Sequence, residues 1–86
     1  MVATGPDSQL IVRKPRVQGG EPIIRGTRVP VRSIVVAAEE YAGDVTKIAR
    51  SFSVDESAVR AALAYYDQHK AEIDRSIAAQ EQAALA

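Results

Sequence analysis

The chain has 86 residues, a formal net charge of zero and no cysteine. This length fits one small domain with a modest core, for which association with a second copy is the usual way to bury more surface. The lack of cysteine excludes disulfides and thiolate metal sites, and the single histidine, His69, has no carboxylate cluster around it, so no metal or other cofactor is predicted. The longest apolar run, 34–38, is too short to span a membrane and the N-terminus lacks a secretory signal, which predicts a cytoplasmic protein.

Charge is divided unevenly along the chain. Residues 1–38 hold six basic and two acidic residues, a net +4, whereas residues 39–86 hold five basic and nine acidic residues, a net −4. The basic end suits a polyanion, and the acidic end suits a basic protein surface. The alternative is that both are solvated faces.

The N-terminal region combines turn-forming residues with short β-prone runs. Residues 1–8 are polar and are predicted to be a disordered lead-in. Two or three short β-prone runs follow this lead-in. Because Pro22 and Pro30 cannot donate hydrogen bonds to a ladder, these runs are predicted to be edge strands or strand ends. An element this small is barely stable alone, so we expect it to pair with a second copy and form a dimer. The runs are 10–12, 23–24 and 29–31.

From Ser33 onward, apolar residues recur at intervals of three and four, which predicts helices. Gly43 is predicted to end the first helix at the position where a left-handed backbone is tolerated. Asp44 and Asp55 are predicted to cap the second and third helices. A short helix over 44–52, a turn over 53–55 and a longer helix from 56 onward have the order of a helix-turn-helix.

The third helix is predicted to continue into the C-terminal region without interruption. No glycine or proline follows Gly43, and a helix that continues to residue 84 would extend for about 44 Å. The predicted fold is therefore mainly α with short N-terminal β-strands, a homeodomain-like helix-turn-helix and a long C-terminal helix. Residues 9–66 would form the DNA-binding domain and residues 67–86 a partner-binding helix.

Residues predicted to bind DNA come mostly from the basic N-terminal element. The expected recognition helix offers only Ser57 and Arg60, so affinity would depend on phosphate contacts from the N-terminal cations. Either this helix or a two-stranded ribbon could enter the major groove, and both docking modes stay open. The predicted set is Arg13, Lys14, Arg16, Arg25, Arg28, Arg32, Ser57 and Arg60.

Structural roles compete with DNA binding at several of these positions. Arg28 is slightly favoured as a residue that locks its loop through Glu21 or backbone carbonyls. For Arg25 and Arg32 the alternative is plain solvated charge. The hydroxyl of Thr27 is expected to bond to nearby backbone groups.

The C-terminal region has a narrow apolar stripe on an otherwise polar helix, which is typical of a helix that binds in a groove of another protein. The alternatives are a self-association seam or a frayed end. The predicted partner-binding residues are Tyr66, Lys70, Ile73, Ile77, Glu81 and Leu85.

Enzymatic activity is not expected. The glycine-containing segments lack a phosphate-loop lysine and its spacing. No serine or threonine has a nearby histidine base, and His69 lies on a polar segment where it is predicted to be exposed. No small-molecule substrate is predicted.

Two segments, GGEPIIRGTRVPV (19–31) and VRAALAYY (59–66), carry a family resemblance. With the helices between them they resemble the family catalogued as domain of unknown function 433, small VapB-like antitoxins, over about residues 11–66. The resemblance implies a DNA-binding helix-turn-helix and a neighbouring toxin with a PIN-like nuclease fold. The antitoxin in such pairs blocks the nuclease and, as a dimer or with the toxin, represses its own operon.

One departure from the family pattern affects the first helix. Relatives often carry Ser, Thr or Glu after the Pro-Val pair, whereas this chain has Arg32. The first helix is therefore expected to be capped by Ser33 or not at all.

Our hypothesis from the sequence is a dimeric type II antitoxin whose partners are operator DNA and a PIN-like ribonuclease toxin. The alternative is a protein-interaction adaptor, or a transcriptional regulator that acts without a toxin. No membrane contact is predicted.

Overall fold

A computed structural model describes residues 10–85 of the chain, so the predicted lead-in at 1–8 lies outside the described residues. Within this range a two-stranded antiparallel sheet is followed by four α-helices. The mainly helical fold with short N-terminal strands is thereby confirmed. The elements are β1 (Ile11–Arg13), β2 (Pro22–Ile24), α1 (Val31–Glu40), α2 (Val45–Phe52), α3 (Glu56–Gln68) and α4 (Lys70–Leu85).

The sheet is short, and prolines limit one end of it and its third β-prone run. Ile11 pairs with Ile24, and Pro22 occupies the first position of β2 opposite Arg13. The third β-prone run contributes only an isolated bridge between Pro30 and Ile23. Pro30 has no N–H to extend the ladder, and Val31 is already the first residue of α1.

The loop between β2 and α1 is held by local hydrogen bonds. The hydroxyl of Thr27 donates to the carbonyl oxygen of Ile24 at 2.8 Å and accepts from the N–H of Val29 at 2.9 Å. This confirms the prediction for Thr27. Gly26 has a φ of 80°, a conformation that side chains disfavour, so the turn depends on glycine there.

The N-terminal caps of the helices agree in part with those predicted from the sequence. Asp44 caps α2, since its Oδ1 accepts from the N–H of Lys47 at 3.1 Å. Asp55 occupies the cap position of α3, but its side chain makes no capping hydrogen bond. α1 begins two residues before Ser33, with Pro30 at the cap position and no side-chain cap; the alternative of an uncapped helix is therefore the correct one.

The C-terminal end of α1 differs by one residue from the prediction. Ala42, with a φ of 53°, is the first left-handed residue, and Gly43 follows it with a φ of 76°. The N–H of Gly43 donates to the carbonyl oxygen of Ala38 at 2.8 Å, which closes the last turn of α1.

The predicted continuous rod is wrong, because the helix breaks at His69. Its φ of −137° and ψ of 38° lie outside the helical region, and its N–H donates to the carbonyl of Tyr66 instead of Tyr65. The imidazole stacks on the Tyr65 ring at 4.0 Å between centroids, and its Nδ1 lies 2.9 Å from the Tyr65 carbonyl oxygen. The side chain thus stays beside the Tyr65 carbonyl, which the interrupted helix leaves free. His69 is therefore half-buried, whereas the sequence predicted that it would be exposed.

The break turns α4 back onto α1, where Ile73 enters the core with 1% of its surface exposed. α1 also packs against α3, α2 against α3, and β1 against α3. Burial of apolar area is the main term that stabilises such an arrangement. The core consists of Ile11, Ile24, Val31, Ile34, Val35, Ala37, Ile48, Ala49, Ala58, Val59, Ala61, Ala62 and Ile73.

Replacement of Ile73 by alanine tests the packing of α4. We expect the free energy of unfolding to fall by about 2 to 5 kcal/mol, because a buried cavity replaces the side chain. Leu85→Ala on the same helix is the control, since Leu85 is 84% exposed. Urea unfolding followed by circular dichroism measures both, and equal stability of the two variants would contradict the packing of α4.

Candidate functional site

Arg13 is tied to the C-terminal half of the chain. Its guanidinium forms an ion pair with Glu72 and donates to the Tyr65 hydroxyl at 2.9 Å and to the carbonyl oxygen of Gly20 at 3.3 Å. The hydrogen bond to Glu72 is the main cause that raises the pKa of Arg13 above its ordinary value. Arg13 therefore links β1 to both α3 and α4.

Arg32 belongs to a second polar cluster, which joins the GGEP segment to α1 and α4. Its Nε donates to the two carboxylate oxygens of Glu21 at 3.0 and 3.3 Å, and its Nη2 donates to Gln18 Oε1 at 3.4 Å. The hydroxyl of Ser76 donates to Glu21 Oε1 at 2.6 Å. The side chains of Arg32 and Glu21 are only 17% and 26% exposed, so solvated charge is the wrong description of Arg32.

The remaining N-terminal cations lie at the surface. Among the described residues the guanidinium of Arg28 makes neither of the expected ties, to Glu21 or to backbone carbonyls, and Glu21 pairs with Arg32. The contribution of Arg28 to the loop comes instead from its carbonyl oxygen, which accepts from Gln18 Nε2 at 3.0 Å. Besides Arg13, the exposed members of the predicted DNA-binding set in this region are Lys14, Arg16, Arg25 and Arg28.

The loop that follows β2 lies beside the turn between α2 and α3. Together they line a depression of about 220 Å³. Arg25 and Thr27 line it from the loop, and Asp55 and Ser57 line it from the start of α3. The fold thus brings together two predicted DNA-binding residues, Arg25 and Ser57, that are far apart in the sequence.

Arg60 lies one turn beyond Ser57 on α3. Its Nη2 contacts Glu56 Oε1 at 3.1 Å, and Glu56 Oε2 accepts from the Thr46 hydroxyl at 3.0 Å. The side chains of Arg60 and Glu56 are 64% and 43% exposed. Exposed pairs of this kind contribute little to stability, so the guanidinium can exchange Glu56 for another anion.

The predicted partner-binding residues divide into four groups. Ile73 is buried in the core, so its assignment to a partner surface is wrong: its side chain is 1% exposed and belongs to the apolar core cluster of this chain. Tyr66 and Lys70 lie together, with the Lys70 amine 6.0 Å from the centre of the Tyr66 ring. Leu85 is exposed at the end of α4.

Ile77 and Glu81 form the fourth group and line two depressions between α1 and α4. The larger one, of about 430 Å³, is lined by Arg32, Ser33, Val36, Ala37, Glu40, Phe52, Ile77, Gln80, Glu81 and Ala84. The smaller one, of about 220 Å³, is lined by Val35, Val36, Glu39, Tyr66, Asp74, Ile77, Ala78 and Glu81. We call this pair of depressions, with the surface of Val36 between them, the α1/α4 groove.

Val36 is a candidate that the sequence reasoning missed. It is 45% exposed, while its neighbours Val35 and Ala37 are buried. The signal was available, because five consecutive apolar residues on one helix cannot all face the same core.

Metal and membrane features are absent from the part of the chain that the structure describes. In residues 10–85 no three histidine, aspartate or glutamate side chains group in a way that could hold a metal ion. Over the same range, each helix is too short or too polar to cross a bilayer.

Comparisons with known proteins agree on one family. The family model described as protein of unknown function (DUF433) matches residues 11–66. A solved structure, a DUF433 member protein from Anabaena variabilis, is 36% identical with a TM-score of 0.69, and the match covers 80% of this chain and 68% of that one. A search of curated proteins gave no match.

Replacement of Glu21 by glutamine tests the cluster around Arg32. We expect a loss of about 1 to 3 kcal/mol in the free energy of unfolding, because a mostly buried guanidinium loses its charged partner. Glu56→Gln removes the partner of Arg60 in an exposed pair, and its effect should stay below about 0.5 kcal/mol. Chemical denaturation measures both, and a Glu21→Gln variant as stable as Glu56→Gln would contradict a structural role for the cluster.

Tyr66 and Asp74 permit a pH-dependent test of the contact between α3 and α4. The Tyr66 hydroxyl donates to Asp74 Oδ1 at 2.8 Å, and this hydrogen bond is the main cause that raises the pKa of Tyr66. The neutral phenol is the form that donates. The hydrogen bond from Tyr66 to Asp74 is therefore present below the ordinary tyrosine pKa and is lost as the pH rises through the raised pKa of Tyr66.

Asp74→Asn should therefore lower the pH at which Tyr66 ionises, as measured by NMR of the tyrosine rings. Tyr66→Phe identifies the resonance. An unchanged midpoint in Asp74→Asn would show that the hydrogen bond is not formed in solution.

Proposed function

The chain belongs to the DUF433 family of proteins of unknown function, and we propose that it is the antitoxin of a type II toxin–antitoxin pair. In this proposal it binds and inhibits a PIN-like nuclease toxin and represses its own operon through DNA binding. The protein acts as a binding module, not as an enzyme.

The observation that carries the proposal is the surface shared by the loop after β2 and the start of α3. α2, the turn at 53–55 and α3 follow the order of a helix-turn-helix, and α1 packs behind α3 as a third helix does in homeodomain-like units. In such units the N-terminal residues of the second helix contact base edges. Ser57 and Arg60 have these positions here.

The surrounding cations suit the phosphates on either side. Arg25 lies beside Ser57 at the shared depression. Lys47 and Arg50 are exposed on α2, the helix that crosses the DNA backbone in this kind of unit. Arg13 and Arg32 are left out of the proposed interface, because both guanidinium groups are already engaged with carboxylates.

Between the two docking modes, the helix is favoured over the ribbon. Each strand has only three residues, and Ile11, Ile23 and Ile24 are buried in the protein. A ribbon that enters the major groove needs side chains free to contact base edges. Lys14, Arg16 and Arg28 would instead flank the helix and contact the backbone.

We further propose that two copies pair through β1. Within the described residues β1 is hydrogen-bonded on one side only, to β2. The unpaired backbone groups of its other edge are a template for a second strand. A two-fold dimer formed in this way would present two copies of α3 to a palindromic site.

A second candidate function is a protein-interaction adaptor without a role at DNA. The engagement of Arg13 and Arg32 favours it, since it removes two of the six cations in the basic half. Binding to DNA that weakens steeply with salt separates the two functions, because phosphate contacts release counterions and an adaptor would not bind DNA.

Binding to the DNA upstream of the gene, titrated at several salt concentrations, tests the proposal. The logarithm of affinity should fall linearly with the logarithm of salt concentration. Arg25→Ala should weaken binding and reduce this slope by about one, as expected for one lost phosphate contact. Arg75→Ala, which removes an exposed arginine from α4, is the charge-matched control and should change neither.

Two results would contradict the DNA-binding role. One is binding too weak to measure at low salt, and the other is an equal loss in the Arg25→Ala and Arg75→Ala variants. The first result would favour the adaptor.

A further inference from the structure

The α1/α4 groove combines an exposed apolar surface with a one-sided charge. Val36 stands between the two depressions with 45% of its surface exposed. Ile77 lines both depressions from α4, and Phe52 and Ala84 extend the apolar lining of the larger one. A set of apolar side chains at neighbouring positions of two helices is the kind of surface that accepts an amphipathic helix.

Carboxylates surround this apolar surface. The four acidic residues of the lining are Glu39, Glu40, Asp74 and Glu81. Arg32 is the one cation in the lining, and its guanidinium is already paired with Glu21. Lys70 lies outside the lining, with its amine 6.0 Å from the centre of the Tyr66 ring. The groove therefore has an excess of negative charge, which favours a positively charged occupant.

Two other occupants fit less well. Residues 1–9 of this chain contain Asp7 and no basic residue, so they offer no charge complementarity. A second copy would have to insert its basic N-terminal surface into this acidic one. Such a head-to-tail contact uses different surfaces on the two copies and tends to grow into open chains, not closed dimers.

We propose that the α1/α4 groove binds a basic amphipathic helix of the partner protein, with an aliphatic side chain against Val36 and Ile77 and lysine or arginine beside Glu39, Glu40 and Glu81. The inference rests on the proposed function in taking the nuclease toxin as the source of this helix. It changes the expected mode of binding: α4 is one wall of a groove, not a free rod inserted into the toxin.

The groove is formed before the partner arrives. Ile73 anchors α4 in the core, Ser76 bonds to Glu21 and Glu72 pairs with Arg13. A preformed site lowers the entropy cost of association, so a short helix can bind without first ordering α4.

The experiment uses the full chain with two kinds of probe. The first is a synthetic amphipathic helix of leucine and lysine, compared with the same peptide carrying glutamate in place of lysine. The second is the product of the adjacent gene, which the proposed function takes to be the nuclease toxin. Affinities come from fluorescence anisotropy or calorimetry, and amide NMR shifts locate the binding surface.

Four variants are compared in both arms. Val36→Asp places a charge on the apolar surface and should weaken binding of the lysine peptide and of the nuclease by about tenfold or more. Leu85→Asp is its control, because Leu85 is exposed but lies outside both depressions. Glu81→Gln should weaken binding several-fold, and Asp67→Asn, an exposed acid on α3, should not. Circular dichroism and unfolding curves check that each variant is folded.

The outcomes separate the groove from the proposed function. Amide NMR shifts centred on Val36 and Ile77 with the lysine peptide, and no binding of the glutamate peptide, support the proposed groove. If the nuclease does not bind in the same experiment, the groove is still supported but the antitoxin function fails. A nuclease that binds Val36→Asp and Glu81→Gln as tightly as the unmodified chain overturns the groove and leaves the antitoxin function standing. No binding of either probe overturns both.

Discussion

The attachment of α4 to the rest of the protein is the constraint on which the architecture depends. Ile73 of α4 supplies the apolar part of this attachment, since it is buried in the core and α4 packs against α1. The carboxylate of Glu21 supplies the polar part, because it accepts hydrogen bonds from both Arg32 on α1 and Ser76 on α4. A mostly buried carboxylate with these partners holds three segments in one arrangement, and its loss would leave a guanidinium without its charged partner.

This arrangement gives the GGEPIIRGTRVPV segment several distinct roles. Glu21 is an internal tie, Ile23 and Ile24 are buried, and Thr27 closes the loop through its hydroxyl. Arg25 extends from the same loop to the depression at the start of α3. One short segment therefore stabilises the fold and carries a side chain of the proposed DNA interface, which explains why turn formers and arginines alternate within it.

The division between a basic front and an acidic back is weaker in space than in the sequence. Arg13 pairs with Glu72 and Arg32 pairs with Glu21, so part of the opposite charge is neutralised inside the molecule. Among the charges that remain, cations lie on the loop after β2, on α2 and on α3, and a group of carboxylates lies along the α1/α4 groove. The proposed functions at DNA and at a second protein use these two surfaces separately.

Local patterns in the sequence were sufficient for the strand–helix order, the Asp44 cap and the closed loop at Thr27, because each depends on residues within about four positions of one another. They also identified Arg25, Ser57, Ile77 and Glu81 as candidates. They could not reveal the break at His69, the burial of Ile73 or the partners of Arg13 and Arg32. The contacts that decide these features join residues far apart, as Arg13 does with Tyr65 and Ser76 does with Glu21. A helix continues or breaks according to the apolar area that each choice buries, and that area exists only once α1 and α4 are brought together.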